Sequence, residues 1–220
     1  MSVTKRSCLR CGTCCRKGGP GLHGEDAGLI EQGVFSSKDI VCFRKGELAY
    51  NQAKGRLEPL SCELLKLQGK KGTWECLFYD PGSKGCRIYA GRPLECRTLM
   101  CWDTKPLEKI MTDDDRLQRR DLVPQNSGLA ALMADHEAHC ALERVVHLVG
   151  TNQDVMEERD RRAKIIDICL YDLHFREAIR EKTGVADAAL YCYFGRPLFR
   201  AVRGYDPWFE SEDFLRYFIK

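Results

Sequence analysis

Two patterns of apolar and polar positions divide this chain. Before residue 105, apolar residues come in short clusters interrupted by Gly18-Gly19-Pro20-Gly21, by Gly69 and Gly72, and by Asp80-Pro81-Gly82, combinations that turn the chain rather than extend an element. From residue 127 onward, apolar positions recur as helical stripes. Ser127 is placed to cap a helix running to Val149, with Gly150 just past its end. Asn152 would cap a longer helix reaching Lys182 and stopped by Gly184. Shorter helices are predicted over Ala186–Phe194 and Ser211–Ile219, and in the first half near Gly24–Gln32 and over Ser37–Lys45. Strand-like alternation is scarce, so the predicted fold is mainly α: a loop-rich module over residues 1–105, then an α-helical region over 106–220 packed on it as one unit. Gly91-Arg92-Pro93-Leu94 is echoed by Gly195-Arg196-Pro197-Leu198, but the flanking residues differ and the pair reads as coincidence rather than a repeat.

Composition alters this picture at one point. Apolar residues make up 44% and charged residues 30% of 220, with a net charge of +3 spread along the chain. That balance points away from nucleic acid. No apolar run approaches the roughly 20 residues that span a bilayer, and Met1–Arg10 lacks a signal-peptide core, so the expected address is cytoplasmic. The thirteen cysteines stand out. A reducing compartment disfavours stable disulfides, an odd number forbids complete pairing, and ten of the thirteen lie before residue 102.

Eight of them form two groups, Cys8, Cys11, Cys14 and Cys15, then Cys76, Cys86, Cys96 and Cys101. A two-residue gap lets a tight turn aim both thiolates at one metal, and Gly12 supplies the turn. The pattern suits two four-sulfur sites or one polynuclear cluster. Cys42, Cys62, Cys169 and Cys192 lack ligand spacing and are read as packing residues.

Cys8-x2-Cys-x2-Cys-Cys, followed by Cys76, Cys86-Arg87-Ile88-Tyr89, Arg92-Pro93 and Cys96-Arg97, resembles the CxxCxxCC family of zinc- or iron-chelating proteins of the YkgJ type. The likeness covers roughly residues 8–101 and implies eight ligand cysteines. Some larger relatives are associated with protein lysine methylation, which keeps an enzymatic role in view by resemblance alone.

Eight thiolates carry eight negative charges, of which two Zn²⁺ ions or two [4Fe–4S]²⁺ cores cancel four. Arg10, Arg16, Lys17, Arg87, Arg92 and Arg97 flank them, and Arg92 and Arg97 are the leading candidates to donate to the sulfurs. The second group contains no CxxC knuckle of the kind zinc favours, which tips the balance toward iron–sulfur, although the first run departs from the ferredoxin pattern at Cys15.

His136, Cys140, Glu143 and His147 share one helical stripe. His136 and Cys140 are candidates for an additional metal ligand or a hydrogen bond to one. His23 reads as an ordinary loop histidine, and the aromatics from Tyr191 to Phe209 as helix packing. No phosphate loop, nucleophile elbow or HExxH motif is present. The expected function is therefore a non-enzymatic metal-binding protein, holding zinc or iron for structure, storage or transfer. A metal-dependent enzyme or maturation factor is the alternative, and a nucleic-acid-binding zinc module the third reading. Because the first module is rich in glycine and turns, its apolar core is expected to be poor.

Overall fold

The computed structural model describes residues 8, 10–51, 54–112, 115–151 and 156–219. The helix start assigned to Asn152 lies outside them. About half the chain is helical, and among the described residues three small two-stranded antiparallel sheets lie in the first half. The N-terminal cysteine run ends in a single helical turn, α1 (Thr13–Arg16), which carries Cys14 and Cys15. A 3₁₀ turn at Gly24–Asp26 leads into α2 (Ala27–Glu31).

The helix expected over Ser37–Lys45 is instead one 3₁₀ turn and a strand, β1 (Ile40–Phe43). The Asp39 carboxylate accepts from the Ser36 N–H at 2.8 Å and its hydroxyl at 3.0 Å, fixing the turn. Ile40 and Cys42 then point inward with strand alternation, paired to β4 (Leu64–Leu67). Between them lies the hairpin β2 (Leu48–Asn51) and β3 (Arg56–Pro59). A third hairpin, β5 (Tyr79–Asp80) and β6 (Gly85–Cys86), precedes α3 (Leu94–Thr98) and α4 (Lys105–Met111).

In the second half, Ser127 caps as expected, accepting from the Ala130 N–H at 3.2 Å. The single helix expected to Val149 is two, α5 (Gly128–Cys140) and α6 (Leu142–Val149). They break at Ala141, whose ψ is 128°. Carbonyls released at the end of α5 find arginine donors: Arg44 reaches Cys140 O at 2.9 Å, and Arg144 reaches His139 O at 2.9 Å. The long helix α7 (Glu158–Thr183) stops at Gly184, left-handed at φ 67°. It is followed by α8 (Asp187–Phe194) and α9 (Leu198–Ala201). The last predicted helix shortens to α10 (Glu212–Leu215).

The first half is not poor in core. Leu22, Phe35, Ile40, Cys42, Leu65 and Leu67 are buried together with Leu117 and with Cys192 of α8. Helix α8 lies across β1, and Gln68 Nε2 donates to Ile40 O at 2.9 Å and to Ala188 O at 3.0 Å. Arg119 joins Glu63 at 2.8 Å to Glu137 at 3.2 Å. The expectation missed this core because its apolar residues sit on short strands closed by contacts distant in sequence. A second core joins α6, α7, α9 and the C-terminal aromatics Phe209 and Phe214.

The Gly-Arg-Pro-Leu echo has a shared local outcome. Each copy opens a short helix whose first peptide N–H is accepted by a buried aspartate from elsewhere. Leu94 N donates to Asp26 Oδ1 at 2.9 Å, and Leu198 N to Asp172 Oδ2 at 2.7 Å. Proline at the helix entrance cannot donate, so the next N–H needs an acceptor.

Candidate metal centre

The two cysteine groups meet through backbone geometry. Gly12 adopts φ 74°, and an added Cβ there would lie 2.3 Å from the Tyr79 ring. The tyrosine thus packs directly on the turn between Cys11 and Cys14. From the end of that turn, Cys15 O accepts from the Cys76 N–H at 2.8 Å, closing a separation of 61 positions. In the β5–β6 hairpin, Cys86 pairs directly with Tyr79. The Asp80 carboxylate holds the hairpin turn, accepting from the Gly82 and Ser83 N–H groups at 3.2 and 3.1 Å.

Cys96 is delivered by α3, and buried polar groups anchor that helix. Asp26, fully buried, accepts from both His23 N and Leu94 N, each at 2.9 Å. Burial pushes its carboxyl up, and those two hydrogen bonds oppose the rise. Glu95 accepts from Gly21 N at 2.7 Å and lies 3.5 Å from His23 Nε2. His23 is thus a buried member of this support, not a loop residue in solvent.

Cys14, Cys15, Cys76, Cys86 and Cys96 lie near one another, although among the described residues no three of their sulfurs all fall within 4.8 Å of one another. Cys14 and Cys15 place their sulfurs 4.0 Å apart. The charges of Cys14, Cys76 and Cys86 act on Cys15, and Cys76, Cys14 and Cys86 act on Cys96. A hydrogen bond from Cys15 pushes the Cys14 thiol down to about 6, while that bond and burial push Cys15 up. Burial also raises Cys76 and Cys96, and the neighbouring thiolates add to it. Burial first, and neighbouring thiolates second, thus oppose ionisation of Cys76 and Cys96.

Cys8, Cys11 and Cys101 are exposed. Cys11 accepts from the Thr13 hydroxyl at 3.2 Å, which lowers its pKa. Cys8 accepts from Arg10 N at 3.4 Å. Neither Cys8 nor Cys101 is among the leading charges on the inner thiols.

The two arginines singled out from sequence differ. Arg97 pairs with Glu25 and lies 3.9 Å from Asp26. Arg92 lies over Tyr89, 3.6 Å from the ring centroid, and its charge favours the Cys14 thiolate. Sequence reading missed Asp26, Glu95 and Lys66. Lys66 is a strand residue lying near Glu95 and Cys76, its pKa lowered by burial. The His23-x-x-Asp26 spacing carried a capping signal for Asp26; Lys66 had none, because its surroundings come from distant segments.

His136 and Cys140 lie elsewhere. His136 Nε2 is 2.7 Å from Asp172 Oδ1, which also accepts from Arg176 Nε at 2.8 Å. These three side chains are buried. One ligand-type atom from each of His136, Cys140 and Asp172 falls within 4.8 Å of the others, but Asp172 is already satisfied by three protein donors. Burial keeps His136 neutral by lowering its pKa, and pushes Cys140 up to about 12. Cys42, Cys169 and Cys192 are buried thiols raised in the same way, whereas Cys62 is exposed and does not pack as expected.

Free thiols gathered without disulfides are soft donors, the chemistry that suits zinc and iron–sulfur centres. Among the described residues, no helix is long and apolar enough to cross a membrane. No solved structure matches the chain. Its sequence matches, over residues 7–120, the family described as "CxxCxxCC: Putative zinc- or iron-chelating domain", and the chain belongs to that family.

Proposed function

We propose that this protein holds zinc or iron through Cys8, Cys11, Cys14, Cys15, Cys76, Cys86, Cys96 and Cys101, and that its task is to keep or pass on the metal rather than to catalyse a reaction. The observation that carries this reading is the Cys76 N–H to Cys15 O hydrogen bond at 2.8 Å, which brings the second cysteine group against the first, where the Cys14 and Cys15 sulfurs lie 4.0 Å apart. Eight cysteines in two groups exceed the four ligands of a single tetrahedral zinc, which favours more than one metal; the absence of a CxxC knuckle in the second group is what favours iron–sulfur. The exposed Cys8, Cys11 and Cys101 would complete the coordination from the solvent side, where metal can enter or leave. His136 and Cys140 are assigned to the separate buried network and not to this centre.

Anaerobic purification, elemental analysis and visible absorption test the reading together. Bound iron with acid-labile sulfide and a visible absorption band is the expected result. Zinc without colour would keep the binding role and reject the cluster. Protein without metal, after growth with both metals supplied, would reject the role.

A further inference from the structure

The cations around the cysteine centre are not equivalent. Arg97 is held by Glu25 and Asp26. Arg87 donates to Leu77 O at 2.8 Å. Arg16 donates to the Tyr79 hydroxyl at 3.2 Å, and Lys70 pairs with Glu75 at 2.6 Å. Arg10 and Arg92 differ: among the described residues, neither guanidinium makes a hydrogen bond or an ion pair with a carboxylate. Both guanidiniums lie on Tyr89, at 4.0 and 3.6 Å from its ring centroid. The Nε of Arg92 is buried with no hydrogen-bond partner.

Two like charges on one ring repel each other, and the ring's attraction for each cation only partly offsets that. Such an arrangement needs an anion nearby, and Tyr89, whose N–H donates to Cys86 O at 3.2 Å, sets both guanidiniums beside the cysteine groups. Arg10 stands in the Cys8–Cys11 loop and Arg92 in the segment between Cys86 and Cys96. Tyr89 therefore gathers a cation from each side of the centre.

We infer that Arg10 and Arg92, gathered on Tyr89, form a counter-ion clamp for the loaded thiolate centre, with Tyr89 as the positioning residue. The inference rests on the metal-holding reading above. When bound, the metal leaves residual negative charge on its thiolates. The clamp offsets that charge and ties the N-terminal cysteine loop to the segment between Cys86 and Cys96. Arg97, although beside Cys96, anchors α3 instead.

The test is metal retention by the anaerobically purified full chain against a competing chelator. Arg92→Gln is expected to release metal at about 10- to 100-fold lower chelator concentration, the usual size for losing a group that supports metal ligands. Arg92→Lys should recover part of the loss by restoring charge, and high salt should narrow the gap between Arg92→Gln and the unaltered protein. A purely structural role would give neither response. Tyr89→Leu should weaken retention, and Tyr89→Phe, which keeps the ring face, should recover most of it. Hydrogen exchange in α5 and α7 checks folding, and Tyr89→Leu and Arg10→Gln carry the test if Arg92→Gln does not fold. Metal-bearing unaltered protein with equally retentive Arg92→Gln and Tyr89→Leu would overturn the clamp alone. Unaltered protein without metal would overturn the metal-holding reading and the clamp with it.

Discussion

Two regions of this molecule use the same local device to different ends. At Asp26 and at Asp172, a buried carboxylate accepts the first N–H of a helix opened by Gly-Arg-Pro-Leu. Around Asp172, the polar groups complete one another: His136, Arg176 and Leu198 all donate to it. Arg176 in turn donates to Phe194 O at 2.8 Å and Gly195 O at 3.0 Å. The His136 hydrogen bond and the nearby Arg176 and Arg44 outweigh burial and hold Asp172 down at about 2. Around Asp26, the helix that is anchored carries Cys96 into a set of thiols whose charges oppose one another. In the first region the carboxylate is satisfied by protein donors, although His136 Nδ1 stays buried without a partner; in the second, burial and neighbouring thiolates both oppose ionisation of Cys96. Ligand-type residues brought together are thus not enough to mark a metal site. The Asp172 carboxylate is already taken up by protein donors, whereas the thiols of the cysteine groups are not.

The largest test of that contrast is metal removal. Structural zinc contributes on the order of 10–16 kcal/mol in small peptide systems, against roughly 5–15 kcal/mol for a whole domain. Chelation under reducing, anaerobic conditions should therefore expose residues 10–18 and 69–104 to hydrogen exchange. The strands β1 and β4 should remain protected with α5 and α7, because their core is apolar. Uniform loss of protection through β1 and β4 would show that this core depends on the metal after all.

Next in size is the buried network. Asp172→Ala leaves His136 and Arg176 facing a missing acceptor and should cost about 3–5 kcal/mol, read as a lowered denaturation midpoint. Metal content per folded molecule should not change. Loss of metal in the folded variant would join the two regions that the structure separates.

Gly12→Ala acts at the cysteine centre. A left-handed residue other than glycine costs about 1–2 kcal/mol, and the new Cβ would collide with Tyr79 at 2.3 Å. Here metal retention should fall while the helical half keeps its exchange protection, the reverse of Asp172→Ala. Equal retention by the two variants would erase the contrast.

The smallest expected effect is pH. His136 has its pKa lowered from the ordinary 6.5 by burial. The unfolded chain therefore binds this proton first, and His136's contribution to stability falls as pH drops below 6.5 toward the lower folded value. Denaturation of a His136→Gln variant should show a shallower loss over that window than the unaltered chain. Identical slopes would mean that the histidine is not held neutral in the fold.

Much of the helical half was legible because its information is local. Ser127 and Gly184 mark boundaries by their own capping chemistry, and α7 and α8 follow apolar spacing. The break at Ala141 was hidden, since Arg44, 96 positions from Cys140, takes part in capping α5. The strand at Ile40–Phe43 was hidden for the same reason: its partner is Leu64–Leu67, and four residues carry too little alternation to announce it. At the cysteine centre, the residue types and their grouping were legible, and so was the family. The division into inner and exposed sulfurs was not, nor was the difference between Arg92 and Arg97.

The sequence by itself determined the chemistry on offer: thiols in two spaced groups, glycine where a turn must be left-handed, and caps at the helix ends. Those features act over a few residues, so a linear reading reaches them. Tertiary structure alone decided which thiols face one another, that Cys15 O meets Cys76 N–H, and that Asp26 anchors the helix bearing Cys96. It also decided that His136 and Cys140 join Asp172. Side-chain charge and burial act through space, and distance through space is set by folding rather than by separation along the chain.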